Sequence, residues 1–319
     1  MVNDSTTSAP RAKRRSRLVV LIAAGLLVVA GAVVYRYFRY ARPVDSGPAG
    51  PAVSREHFER SWTERPVVLL GLGDSITQGL GASPGRAYFN RLVKNPVDEF
   101  PDMERISLSQ VLPNLQPLNR SIAGTTSIEC IDYQLPKLET FSADTFGIVV
   151  MTTGGNDVIH NYGRTPPREG AMFGAKVDEI GEWVQNYERR LDTIVERMRS
   201  VFPGGCHLFV GNIYDPTDAD GDIVHAGLPA WPNGLKVLQE YNEALVRFSK
   251  RHSDVTLVDI RSGFLGHGIH CTHFWHRYYH REAPYYWYWE NLEDPNDQGY
   301  DAIRRMFLLE IAKVVPGKL

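Results

Sequence analysis

The sequence is short of cysteine, of net charge and of internal repeats, and each shortage removes a class of explanation. Its three cysteines, Cys130, Cys206 and Cys271, form no CxxC pair, so neither a dense disulfide framework nor a cysteine-based zinc motif organises the chain. One disulfide plus a free thiol stands beside the plainer reading of three separate, partly buried thiols. With 35 Lys and Arg against 37 Asp and Glu, the formal net charge is -2. No overall basic field exists to gather phosphate backbones, and nucleic acid is not an expected partner. Internal repeats and long low-complexity tracts are also absent.

What is present begins with one apolar run. Residues 18–34 are seventeen consecutive positions without charge, side-chain amide or hydroxyl, which just reaches the roughly 17 to 25 residues that span a bilayer. Arg11, Lys13, Arg14, Arg15 and Arg17 precede the run, and Arg36, Arg39 and Arg42 come after it. That asymmetry favours the N-terminus inside and the remainder outside. A cleaved signal peptide is the alternative, because Ala30-Gly31-Ala32 offers a small-x-small site and Arg14-Arg15 reads as a twin arginine. The run continues past that site into an Arg/Tyr collar at Tyr35, which favours an anchor; both readings export the rest of the chain. The expected organisation is a basic cytoplasmic tail at 1–17, a single transmembrane anchor at 18–35, a linker at 36–55 rich in Pro, Gly, Ser and Ala over its later part, and one extracytoplasmic domain at 56–319.

Within that domain, residues 66–72, 146–151, 207–211 and 255–260 are short apolar runs of the kind buried on both faces of a sheet. Between them, 177–202 places Ile180, Trp183, Val184, Tyr187, Leu191, Ile194, Val195 and Met198 at helical spacing, and 235–252 and 300–315 repeat the pattern. Alternating strands and helices predict a mostly parallel α/β sheet covered on both sides, with active groups on loops at the carboxyl ends of strands.

Three such loops carry candidate chemistry. Gly73-Asp74-Ser75-Ile76 comes directly after the first strand, where a serine is either a nucleophile or a helix cap. Residues 118–126 read as a short strand breaking at Gly124, a turn glycine whose N–H is a possible oxyanion donor. Gly154-Gly155-Asn156-Asp157 comes after the next long strand, and Asn156 offers an amide donor or a cap. Gly81-Ala82-Ser83-Pro84-Gly85 matches a GxSxG elbow formally. Pro84, however, lacks the N–H that the elbow needs after its serine, and no apolar strand leads into Ser83.

In order, context and approximate spacing, these loops resemble the SGNH/GDSL hydrolase family from residue 66 to the C-terminus. The resemblance implies a flavodoxin-like three-layer α/β/α sandwich. It also implies Ser75 as nucleophile, an oxyanion hole of the Ser75 and Gly124 N–H groups and the Asn156 side chain, and cleavage of esters or O-acyl groups without a cofactor or metal. The family usually carries Asp-x-x-His-Pro before its last helix. Here the matching stretch is Asn291-Leu292-Glu293-Asp294-Pro295, so Asp294 stands where the histidine is expected and Asn291 where the aspartate is expected.

A carboxylate of ordinary pKa is a weaker base toward a serine hydroxyl than imidazole. The long segment before this motif holds His267, His270, His273, His276 and His280. The expectation is that one of them reaches Ser75 with Asp294 as its orienter, His267 first for its flanking glycines and His270 second. Their spacing also invites a metal reading, but no zinc signature is matched and a packed or solvated loop is the simpler account. The aromatic stretch 284–289 suits sugar stacking, an acyl pocket or plain core cover. The leading expectation is a membrane-anchored ester hydrolase acting on a small-molecule, lipid or acylated-glycan ester. Its rival is a catalytically silent module that binds a glycan or envelope polymer.

Overall fold

The computed structural model describes residues 9–319, so residues 1–8 of the expected tail lie outside the described residues. The chain divides into two compact units, Met1–Pro43 and Val44–Leu319. The first is a helix, α1 (Ala9–Tyr40). Its segment Arg17–Tyr40 is long and apolar enough to cross a membrane, and residues 18–34 are exposed throughout.

The second unit is built on five parallel strands: β1 (Val67–Gly73), β2 (Leu115–Asn119), β3 (Phe146–Thr152), β4 (Cys206–Gly211) and β5 (Val255–Val258), in the order β2-β1-β3-β4-β5. This is the flavodoxin-like order, whose switch point falls between β1 and β3. The long strands β1 and β3 are buried along their whole length, as a sheet covered on both faces requires. Val67 and Leu69 point into one core, and Val68, Leu70 and Leu72 into the other.

Three long helices make the outer layers. Helices α2 (Gly181–Val201) and α3 (Gly234–Arg251) cover one face, and α4 (Asp297–Val314) covers the other. In α2, Tyr187, Leu191, Ile194, Val195 and Met198 are fully buried, as their spacing predicts. The three-layer α/β/α sandwich expected from the sequence is therefore present.

Two boundaries differ from the sequence-based expectation. Strand β2 starts at Leu115 and ends at Asn119, earlier than the stretch at 118–126. It is an edge strand in which Pro117 pairs with Leu69 and most side chains are exposed. An edge tolerates a proline and needs no apolar run, so the usual strand signal is missing. The segment 45–53 also packs against the domain: Asp45 N–H donates to Gln298 Oε1 and Ala49 N–H to Asp301 Oδ2, while Ala49 and Val53 join the core. All three cysteines are free thiols.

Candidate active site

Parallel pairing in register brings the carboxyl ends of the strands together, with Gly73 opposite Thr152 and Thr152 opposite Gly211. At the end of β1 the backbone must turn sharply. Gly73 has φ +100°, and a Cβ there would lie 1.8 Å from Thr152 O, so only glycine fits. Ser75 is the first residue of a one-turn helix, Ser75–Gln78, capped by the Asp74 carboxylate, which accepts from Ile76 N–H. Asp74 also accepts from Thr152 Oγ1 at 2.7 Å. Burial pushes its carboxyl up to about 7 against those two hydrogen bonds.

The loop after β2 is fastened to this turn. Gln134 accepts from Gly73 N–H at 2.8 Å and donates to Gly73 O at 2.7 Å and Thr125 Oγ1 at 3.1 Å. Asn119 Nδ2 donates to Thr77 O. Gly124, with φ +78° and open space where a Cβ would stand, is exposed. Among the described residues, neither the Ser75 nor the Gly124 N–H donates a hydrogen bond. After β3, Gly154 (φ +94°) lies under Tyr187 and starts the short helix Gly155–Ile159. Asn156 donates one amide proton to Thr125 O at 2.9 Å. Asp157 is fully buried and accepts from the N–H and hydroxyl of Ser127, so it ties this loop to the one carrying Gly124.

Asp294 is 1% exposed. Its Oδ2 accepts from Asn291 Nδ2 at 2.6 Å, and Asn291 Oδ1 accepts from the Asp294 N–H. Burial raises the Asp294 carboxyl, while the Ser75 hydroxyl and then the Asn291 amide act in the opposite direction. Its Oδ1 is buried with no hydrogen-bond partner. Beside it, burial and then the Asp294 charge push half-buried Glu293 up to about 7.

A mainly apolar cavity opens over these groups. Ser75, Asn156, Asn291 and Glu293 line it, with a wall drawn from residues 213–238 that includes Ile213, Leu228, Trp231 and Leu238. Sequence reasoning did not single out Gln134, Glu293 or this wall. Only Glu293 carried a signal, its position next to Asp294 in the motif.

The histidines lie elsewhere. Among the described residues, no histidine lines the Ser75 cavity. His267 is buried face to face on Trp287, with ring centroids 3.4 Å apart, and its Nδ1 is 2.9 Å from Tyr285 O; burial lowers it to about 4. His270 is engaged with His273 and Asp222. His267 and His270 therefore have partners other than Ser75, and of the three expected partners only Asp294 has a carboxyl that the Ser75 hydroxyl lowers. The insertion turns inward because the buried Asp218 carboxylate gathers the N–H groups of Gly266, Gly268 and His270. Tyr286, Trp287 and Tyr288 are buried in the core, and the bridge from Tyr288 to Pro295 carries the Asp294 turn. Ser83 is exposed, its N–H bound to Asp297 Oδ1.

The profile of the GDSL-like Lipase/Acylhydrolase family matches residues 72–302. No curated protein matches the chain. Among solved structures, an extracellular lipase from Streptomyces rimosus is similar in fold at 15% identity and TM-score 0.50, covering 77% of this chain and 99% of that one. The acetylxylan esterase Axe2 from Geobacillus stearothermophilus aligns at 15% identity and TM-score 0.47, over 78% and 96% of the two chains. Phospholipase A1 from Streptomyces albidoflavus NA297 aligns at 18% identity and TM-score 0.45, over 78% and 99%.

Proposed function

This chain belongs to the GDSL-like lipase/acylhydrolase family, and on that premise we propose that it is a membrane-anchored serine ester hydrolase whose base is the Asp294 carboxylate. That it hydrolyses ester bonds comes from the family; the residues and the anchoring are our reading. What supports it is a buried Asp294 that Asn291 holds at 2.6 Å and whose carboxyl the Ser75 hydroxyl lowers, beside a Ser75 cavity that, among the described residues, no histidine lines. The order is Asn291, Asp294, Ser75, in place of aspartate, histidine, serine.

Burial disfavours the charged carboxylate and raises its proton affinity, which partly offsets the weakness of an ordinary carboxylate as a base. Asp294 takes the Ser75 proton as Oγ bonds to the acyl carbonyl carbon. The oxyanion is received by the Ser75 and Gly124 N–H groups and the Asn156 amide, two of them backbone donors with no other bond to break. Collapse of the tetrahedral intermediate expels the alcohol, which leaves with the proton held by Asp294. Water, deprotonated by Asp294, then attacks the acyl-enzyme, and Asp294 returns that proton to the departing Ser75 Oγ, which frees the acid and Ser75. The apolar wall suits an apolar acyl group. Helix α1, exposed and long enough to span a bilayer, supports anchoring, and the excess of Arg and Lys before the apolar run over that after it favours the domain outside.

The test is reaction of the full-length protein with a fluorophosphonate probe and with p-nitrophenyl esters of increasing acyl length, beside Ser75→Ala. Labelling and turnover that vanish in Ser75→Ala, while Ser83→Ala keeps both, support the reading. A folded wild type that neither labels nor turns over any ester would favour a silent binding module.

A further inference from the structure

Away from the Ser75 cavity, the fold brings together imidazoles from two separate segments. His225, His270 and His273 each offer one ring nitrogen, and these three atoms lie within 4.8 Å of one another. His270 and His273 are 3% and 8% exposed, while His225 is half-buried at the end of a short helical turn, Ile223–Ala226.

The tautomer of His270 is set from its far side. Its Nε2 is 2.9 Å from Asp222 Oδ1. A carboxylate only accepts, so Nε2 carries the proton and Nδ1 presents a lone pair. That Nδ1 faces His273 Nδ1 at 2.9 Å. Carboxylate behind, lone pair in front is how proteins orient a metal-binding imidazole. Around a tetrahedral zinc with Zn–N of about 2.0 to 2.1 Å, neighbouring nitrogens stand about 3.3 to 3.4 Å apart. The His270–His273 pair needs a few tenths of an ångström to open. The widest gap in the trio closes by up to about 1.5 Å, a movement that a half-buried ring such as His225 can make by side-chain rotation.

The backbone under the cluster is already held. Three N–H groups, from Gly266, Gly268 and His270, converge on the buried Asp218 carboxylate at 2.8 to 3.0 Å. Asp220 stands at the outer edge, 3.3 Å from His276 Nε2 and 3.8 Å from His270 Nε2. It adds negative charge on the solvent side of the cluster. Neutral imidazoles suit zinc rather than magnesium or calcium, which prefer all-oxygen shells.

We propose that His225, His270 and His273 bind one Zn(II) ion, which fastens the wall of the Ser75 cavity to the histidine-rich insertion. The connection runs through one short segment. Gly221, Ile223 and Ala226 line the cavity, while Asp222 and His225, interleaved with them, face the histidines. A fourth position remains for water or a carboxylate. Since, among the described residues, none of the three histidines lines the cavity, the ion is structural and takes no part in ester cleavage.

The experiment uses the full-length chain in detergent, without a histidine tag. Elemental analysis after exhaustive dialysis is expected to find about one zinc per chain. Protein stripped with a chelator is expected to take up one equivalent of Co(II) with the intense visible bands of a tetrahedral site, displaced by Zn(II). His270→Ala is expected to weaken Zn(II) binding more than about 100-fold. Asp222→Asn keeps all three imidazoles and guards against a folding failure; it is expected to weaken binding about 10- to 100-fold. Stripped protein that takes up no equivalent of either metal, or affinity unchanged in both variants, would overturn the proposal.

Discussion

Replacing Asp294 by asparagine separates the chemistry of the base from its structural role. The amide is nearly isosteric, and its oxygen can still accept from Asn291 Nδ2, which now donates to Asp294 Oδ2 at 2.6 Å. It also removes a buried charge whose Oδ1 has no hydrogen-bond partner, so folding stability should be unchanged or slightly higher. What is lost is the acceptor for the Ser75 proton. Removing a positioned general base costs about 10² to 10⁴ in rate, or about 2.7 to 5.4 kcal/mol of transition-state stabilisation. The pH profile gives a second readout. Burial raises the Asp294 pKa, so the active carboxylate form is lost as pH falls through that raised value. The acid limb of kcat/KM should therefore lie above the ordinary carboxylate value of about 3.9. Asn291→Ala removes a donor that lowers this pKa, and should move the limb to higher pH. The assay is p-nitrophenyl ester hydrolysis from pH 4 to 9, with thermal unfolding of each variant as the control. Wild-type turnover in a folded Asp294→Asn, or an acid limb that ignores Asn291→Ala, would refute Asp294 as the base.

Asn156→Ala should lower kcat/KM by about 2.7 to 4 kcal/mol of transition-state stabilisation, with KM nearly unchanged; a loss confined to KM would remove it from the oxyanion hole. Asp301→Asn should destabilise the domain by about 3 to 5 kcal/mol in urea or thermal unfolding. Its buried carboxylate accepts from Arg304, Arg305 and Ala49 N–H and lies 3.4 Å from Arg91, leaving buried guanidiniums short of a counter-charge when it is neutralised. Protease added to intact cells or spheroplasts should digest the domain while a cytoplasmic control survives; protection of the domain would reverse the topology.

How much of the fold is legible in the sequence depends on what each residue answers to. The strands β1 and β3 are buried on both faces, so their composition alone announces them, and the loops that end them carry Ser75 and Asn156. Strand β2 is an edge whose exposed side chains and Pro117 answer to no core, and its boundaries are misplaced by sequence patterning for that reason. Gln134 gives no sequence signal because its task, holding both polar groups of Gly73, depends on a π-helical turn that brings it back 61 positions to the first loop. The histidines show the limit most clearly. Their number within one insertion before the Asp294 motif suggests a base for Ser75, yet Asp218, far away in the sequence, gathers the backbone of that insertion and its histidines face His225 instead. His225 does not enter the pattern because it lies outside the insertion. By contrast, Asn291 and Asp294 fit together under the proposed mechanism: a carboxylate base calls for an orienting residue that donates, and Asn291 Nδ2 donates to Asp294 Oδ2. A lone histidine-to-aspartate change would have left two carboxylates facing each other in a buried turn, where mutual repulsion and desolvation would protonate one of them. The asparagine at 291 avoids that cost and donates to the remaining carboxylate.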